Sequence, residues 1–483
     1  MLFLVWVVVC ALWPLAPRSL TAQTPGFLTN DHWSRAALHR LAVNGQLPAA
    51  VASLSWPARR SEVQTWLDSA QNAADTSESA TRRLHVLRSV LNSEQRSQRI
   101  RAGLAAGALS SAGALRAGTM ERVPEGFRYP GPVASPNEQL TLLRAELYAA
   151  LTGNLEVGTQ GRLRGSDAEL ESAVLAGQFS ILEAWIGRRS LALGNAPADG
   201  LVLNQITLDG GGLSVRRGVR VPWLGRIHPE LTLARMARSG AVEHPWFHSG
   251  RITIAPSSAL AIGLNRAAIF GGENHIGITP LRVLLMLLGR PDIEGKDSDF
   301  ENQVASIDVF WRTRLGGLPV ALHAEAGADD AGYAFLRVPG VIAGVELGEL
   351  PALPALGLGL EVVHIARRCC SYPPWYQHGG LADGWTDRGR LLGHPLGGAG
   401  TELATHWRVE TAQTPVLAAG RIYLRERDRE NLLAPLRQGR SAGGRLDLVV
   451  PWRRTQMQLR ANAEWGSGWQ SSDLTFLGQL YFE

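Results

Sequence analysis

The chain has 483 residues, 45% apolar and 19% charged, with 48 basic side chains against 43 acidic ones for a formal charge of +5. That length is ample for one large domain or two to three ordinary ones, and a charge so near balance points to no nucleic-acid partner. Lys296 is the only lysine, so exposed cations are almost all arginine, a planar donor suited to bidentate contacts.

The first residues, MLFLVWVVVCALWPLAPRSLTAQ, carry an apolar run from Leu2 to Trp13, two prolines, and small residues around Thr21 and Ala22. This has the length and flanks of a secretory leader, so residues 1–22 are expected to direct export. Beyond it only Cys369 and Cys370 remain. Adjacent cysteines make no disulfide framework and lack metal-ligand spacing, so no metal or other cofactor is expected. No later stretch reaches the roughly 18–20 uninterrupted apolar residues of a membrane helix.

Residues 23–101 read as a small helical bundle. TNDHWSRAALHRLAVNG places Trp33, Ala37, Leu38 and Leu41 at helical spacing and ends at Gly45; WPARRSEVQTWLDSA repeats the pattern with Val63, Trp66 and Leu67. A third amphipathic stretch covers 80–100. Residues 102–136 turn Gly/Ala-rich and then Pro-rich, the composition of a linker.

From 137 to 483 the period becomes two. IDVFWRTRL sets Ile307, Val309, Trp311 and Leu315 against Asp308, Arg312 and Arg314; GRIYLRERDR sets Ile422 and Leu424 against Arg421, Tyr423 and Arg425; TQMQLRANAEW sets Met457 to Trp465 against Gln456 to Glu464. One-sided strands also build soluble sandwiches. Here, however, they continue for about 340 residues with Gly-rich turns, their polar faces suit a wet lumen, and the chain ends in the aromatic strand SDLTFLGQLYFE. The expected fold is therefore mainly β, a transmembrane antiparallel barrel of roughly 16–18 strands with a small N-terminal α-helical domain.

No nucleophile elbow, His-Glu-x-x-His or phosphate loop occurs, so no catalysis is expected. His244, His248, His275, His378 and His394 are read as hydrogen-bonded loop residues. Three stretches stand outside the alternation: EHPWFHSGRITIAP, GLNRAAIFGGENHIG and WYQHGGLADGWTDRGRLLGHPLGG. They bring aromatic faces (Trp246, Trp375, Tyr376, Trp385), forked donors (Arg251, Arg266, Arg388, Arg390) and acceptors (Glu273, Asp383, Asp387). Aromatic planes with planar polar side chains suit sugars, and arginine adds capture of a carboxylate. The same groups can staple loops over a lumen, and chemistry alone leaves the two readings level.

The long motif WYQHGGLADGWTDRGRLLGHPLG, with GRITIAPSSALAIGLNRAAIFGGE, resembles the Wzi family of outer-membrane capsule-assembly proteins. So does the order of leader, helical domain and barrel. The resemblance implies an eighteen-stranded barrel, a periplasmic helical domain, and lectin-like holding of an acidic capsular or exopolysaccharide without catalysis. It carries over His378, Asp383, Trp385, Asp387, Arg388, Arg390 and His394 as candidate contacts, with Arg266 and Glu273 from the second motif; Trp375, Tyr376 and Trp246 join them as ring faces. Outer-membrane lipid and the barrel-insertion machinery are the other expected partners, and the chain is expected to be a monomer. An anion- or sugar-selective porin is the competing function.

Overall fold

The computed structural model describes residues 27–28, 33–72 apart from 57, 84, 87, 100–115 and most of 139–482. The leader, residues 116–138, 288–300, 330–338 and 368–373, and the cysteine pair lie outside the described residues, as does most of the third helical stretch.

Eighteen long antiparallel strands, with the three-residue Val219–Val221 beside one of them, form a closed ring among the described residues. Each strand from Ile100–Leu115 onward pairs with the next long strand along the chain, with a register shift between Gln160 and Gly161. The last strand, Trp469–Phe482, pairs with Ile100–Leu115 and shuts the cylinder. Between Ile206–Ser214 and Gly225–Arg235 the ring also holds, with Ser214 opposite Glu230. Closure leaves no ladder edge unpaired, which a strand surrounded by hydrocarbon requires. The Gly/Ala stretch read as linker is thus the first strand as far as Leu115. Small side chains hide alternation, but the ladder on both sides supplies the hydrogen bonds that define the strand.

The alternation read from sequence sets the two faces. Ile307, Trp311, Leu315, Ile422, Leu424, Met457 and Trp465 are exposed on the outside, while Asp308, Arg421, Arg425 and Glu464 are buried inside. An exposed apolar band around a closed barrel is what a bilayer covers. Connections at one end are short, as at Ser180–Ile181 and Gly316–Gly317, whereas those at the other include 192–205, 271–300 and 366–399.

The interior is polar, but it is packed rather than wet. Arg251 donates to Asp308 at 2.6 Å with both side chains wholly buried. Glu361 accepts from Arg421 at 2.8 Å and from His323 at 3.0 Å. Arg421 and Arg425 share Glu402, and Glu464 takes Arg425 at 3.2 Å and Arg427 at 2.8 Å. Opposite charges on neighbouring registers satisfy one another, so this arginine-rich lumen presents little free charge to water.

The helices are built into that interior. Helix α1, Trp33–Val43, ends where Gly45 takes a positive φ of 83°; α2 is Ala49–Ser53 and α3 is Arg60–Asn72. The expected stripe residues Ala37, Leu38, Leu41, Val63 and Leu67 are buried, but their cluster is completed by Ala192, Leu417 and Val449 of the barrel. From α1, His39 meets Glu346 at 2.6 Å, and Arg40 caps the carbonyls of Pro354 and Ala355 at 2.8 Å each. Returning the contact, Arg312 donates to the carbonyls of Ala42 and Leu47 at 3.1 and 2.5 Å. Between the helices, Trp56 bridges Ala192, and Arg59 meets Glu183 at 2.9 Å. The helical segment is a plug whose core is completed by side chains of the barrel.

Candidate functional site

The segment between Leu356–Ile365 and Gly400–Glu410 leaves one barrel hairpin and returns to it, since these two strands pair directly. What lies between folds inward over the lumen. Its aromatic and aliphatic side chains (Trp375, Tyr376, Leu381, Trp385, Leu392 and Leu396) form one cluster with Leu201, Val202 and Leu203 of another long connection and with lumen-facing Phe247, Ile342 and Val363. Burying such side chains contributes about 1.5–3 kcal/mol each, enough to hold a glycine-rich loop in one conformation.

Hydrogen bonds fix the details. The Tyr376 hydroxyl donates to the carbonyl of Leu201 at 2.7 Å and accepts the N–H of His394 at 3.0 Å. The Trp385 indole donates to the carbonyl of Val202 at 2.8 Å, and its ring packs 6.3 Å from Phe247. Asp329 takes the backbone N–H of Tyr376, which holds that residue at a positive φ of 64°. Asp387 accepts the N–H of Ala237 at 3.2 Å. Gly384, at φ 65°, lies against the Tyr376 carbonyl so closely that a Cβ would overlap it. Nearby, Thr386–Asp387 and Arg390–Leu391 form a tight antiparallel pair.

The candidates from sequence therefore fall into separate groups. Trp375, Tyr376, Trp385 and His394 are 0% exposed, and His378 and Asp387 are 9% exposed; in this conformation none offers an open ring face. They are brought together as the packed underside of a lid. Asp383 and Arg388 lie outside the described residues, and Arg390 is described only through its backbone. Trp246, Arg266 and Glu273 gather elsewhere, on the rim of the strands Trp246–Ala255 and Leu260–Phe270. There Arg235 sits 4.5 Å over the Trp246 ring, Arg266 donates to Gln303 at 3.0 Å, and exposed Glu273 meets His244 at 3.0 Å. Arg251, grouped with the loops by its sequence neighbours, points into the lumen instead.

Sequence reasoning did not find the lumen relay Glu361–Arg421–Glu402–Arg425–Glu464. Its members were visible as the polar side of alternating strands, but only register shows that they meet. Two carboxylates of this relay also face His394, with ligand atoms within 4.8 Å of one another. That trio does not suit a metal ion. Nδ1 of His394 accepts the N–H of Leu396 at 3.1 Å, so the neutral ring carries its proton on Nε2 and keeps no free lone pair for an ion. Arg421 already bridges both carboxylates as the cation.

A family model described as capsule assembly protein Wzi matches residues 128–469. Among solved structures, Wzi of Escherichia coli, an outer-membrane protein involved in group 1 capsule assembly and a carbohydrate-binding β-barrel, superposes with a TM-score of 0.69 at 17% identity, over 94% of this chain and 99% of that one. OpdL of Pseudomonas aeruginosa gives a TM-score of 0.48 at 11% identity over 79% of this chain and 98% of its own. OpdK of the same organism, solved with vanillate, gives 0.48 at 10% identity, over 79% and 99%. No curated protein sequence matches the chain.

Proposed function

The chain belongs to the Wzi family of capsule-assembly proteins, and on that premise we propose that it is a lectin-like outer-membrane barrel that binds and anchors an acidic capsular or exopolysaccharide at the cell surface, without catalysis. The long connections face outward from the cell in this reading, and the helical plug enters from the periplasmic side. The observation that carries the proposal is the filled lumen. A conducting pore keeps its charged wall in contact with water, whereas Arg251, Asp308, Glu361, Glu402 and Arg427 are almost wholly buried and paired. A barrel closed in this way works through its surface, and the lid braced by Tyr376 and Trp385 supplies a rigid one. On it, Asp383, Arg388 and Arg390 are the proposed polymer contacts, with Trp246, Arg266 and Glu273 as a second patch on the rim. His378, Asp387, Trp375, Tyr376, Trp385 and His394 hold the surface in place.

Two measurements on the purified chain test this. In a planar bilayer it is expected to give little steady current, and a large open-state conductance would return the porin reading. Immobilised acidic polysaccharide is expected to retain the protein with an affinity that falls as salt rises; no retention of any acidic or neutral polymer would remove the lectin.

A further inference from the structure

A hairpin at the short-turn end stands apart from the rest of the molecule. Val219–Val221 pairs with Gly225–Ile227, and the tip between them is Pro222, Trp223 and Leu224. Trp223 is 100% exposed and adopts a positive φ of 71°. A bulky residue in the left-handed region costs energy, and strain of this kind persists where something repays it. Nothing among the described residues does, because the indole packs against none of them. Leu224 and Val219 beside it are exposed too.

The charges around the tip have one sign. Arg217, Arg220 and Arg226 are exposed, and Arg226 donates to the carbonyl of Arg217 at 3.0 Å, tying the two sides of the hairpin together. No acidic residue occurs from Val215 to Pro229. The fourth arginine of the stretch, Arg216, turns inward to the Ser55 carbonyl at 2.9 Å and to Glu230 at 3.5 Å, so it anchors the hairpin to the plug and leaves the other three outside.

The hairpin also continues the membrane-facing wall. Along Gly225–Arg235 the residues His228, Thr232 and Ala234 are buried, while Leu233 is exposed and Ile227 and Leu231 share its face. Trp223 lies in the turn just before this strand, beyond the end of the exposed apolar band. An apolar ring with one N–H donor suits the boundary between acyl chains and headgroups. Forked guanidinium groups suit phosphate, and basic clusters close to a bilayer are drawn to anionic lipid.

We propose that the Trp223 hairpin is an anchor that seats in the phospholipid leaflet at the short-turn end of the barrel, its indole at headgroup depth and Arg217, Arg220 and Arg226 on lipid phosphates. The test places an environment-sensitive label at Trp223→Cys, in a chain whose Cys10, Cys369 and Cys370 are changed to Ser. That protein is reconstituted in nanodiscs of phosphatidylcholine alone or mixed with phosphatidylglycerol; heat-dependent electrophoretic mobility confirms the folded barrel. In the mixed discs, a lipid with its nitroxide at headgroup level is expected to quench the label several-fold more than a nitroxide in the water. Quenching should be weaker in phosphatidylcholine, and Arg217→Gln, Arg220→Gln and Arg226→Gln together should abolish that difference. A label reached mainly by the water-borne quencher in both discs overturns the anchor and leaves the hairpin to a protein partner. Equal headgroup quenching in the two discs overturns the assigned role of the arginines.

Discussion

The side chain of Tyr376 reaches across from the lid to Leu201, donating its hydroxyl proton to that carbonyl at 2.7 Å while the N–H of His394 closes on the same oxygen at 3.0 Å. One atom thereby ties two long connections to each other and the start of the lid to its end. Tyr376→Phe keeps the ring but strands a buried carbonyl and a buried N–H, which costs about 1–3 kcal/mol each way. Hydrogen exchange is expected to rise through 374–398 with the barrel strands still protected. Unaltered exchange would mean that packing alone holds the lid.

The lumen pair Arg251–Asp308 is a second point of leverage. Arg251→Met leaves a carboxylate buried with Asn265 and Ser306 but no counter-charge, and breaking such a pair costs about 3–5 kcal/mol. The double change Arg251→Met with Asp308→Leu should restore much of that loss, since apolar replacements of both partners remove the stranded charge. Urea midpoints in lipid vesicles report both. A double variant no more stable than the single one would show that geometry, not charge, dominates here.

Acid should loosen the lid. Burial holds the imidazole of His394 below its ordinary value of 6.5, with Arg421 opposing its charge and Glu402, Asp199 and Glu361 favouring it. A base depressed in the folded state contributes stability that is present above 6.5 and lost as pH falls, because the unfolded ring takes up a proton that the buried ring resists. Limited proteolysis within 374–398 is therefore expected to quicken as pH drops from about 7.5 toward 5. His394→Gln should flatten that dependence, and a steeper one in the variant would contradict the assignment.

The plug is expected to be releasable. His39→Ala with Arg40→Ala removes the Glu346 contact and two backbone caps while leaving every barrel strand intact. Planar-bilayer recordings should then show flickering current where the unmodified chain shows little. A silent variant would place the seal in the lumen ion pairs instead.

For the polymer, Arg388→Ala with Arg390→Ala is expected to weaken retention on acidic polysaccharide several-fold at low salt, and to have less effect as ionic strength rises. Retention unchanged, with the barrel folded, would move the contact to the rim around Trp246 and Arg266.

Much of this architecture is legible in the sequence because a membrane forces a simple code. Ile422 and Leu424 must face lipid, so Arg421 and Arg425 must face inward, and the period of two says so without any structure. Ile100–Leu115 escaped that code because alanine and glycine satisfy either face. The lid was legible as an unusual loop but not in its direction. Trp375, Tyr376 and Trp385 have side chains equally fit for a sugar or for a core; what turns them inward is the pair of carbonyls at Leu201 and Val202, supplied by a connection far away in the chain. The ion-pair relay was illegible for the same reason, since Glu402 and Arg425 face each other only through the register of their strands.

Eighteen is an even number, and a ring of antiparallel strands with even count returns its last residue to the side on which it began. The strand Ile100–Leu115 therefore begins, and Trp469–Phe482 ends, on the short-turn side. The opposite side is written only by the hairpin loops that join odd strands to even ones. In the orientation proposed above, an epitope tag after Phe482 is expected to be hidden from antibodies outside the cell, while one inserted beside exposed Arg429, in the connection after Leu417–Arg427, is expected to be displayed. If the barrel holds a polymer as proposed, a change of polymer preference is expected to need changes in those loops, with both ends of the chain left out of the contest.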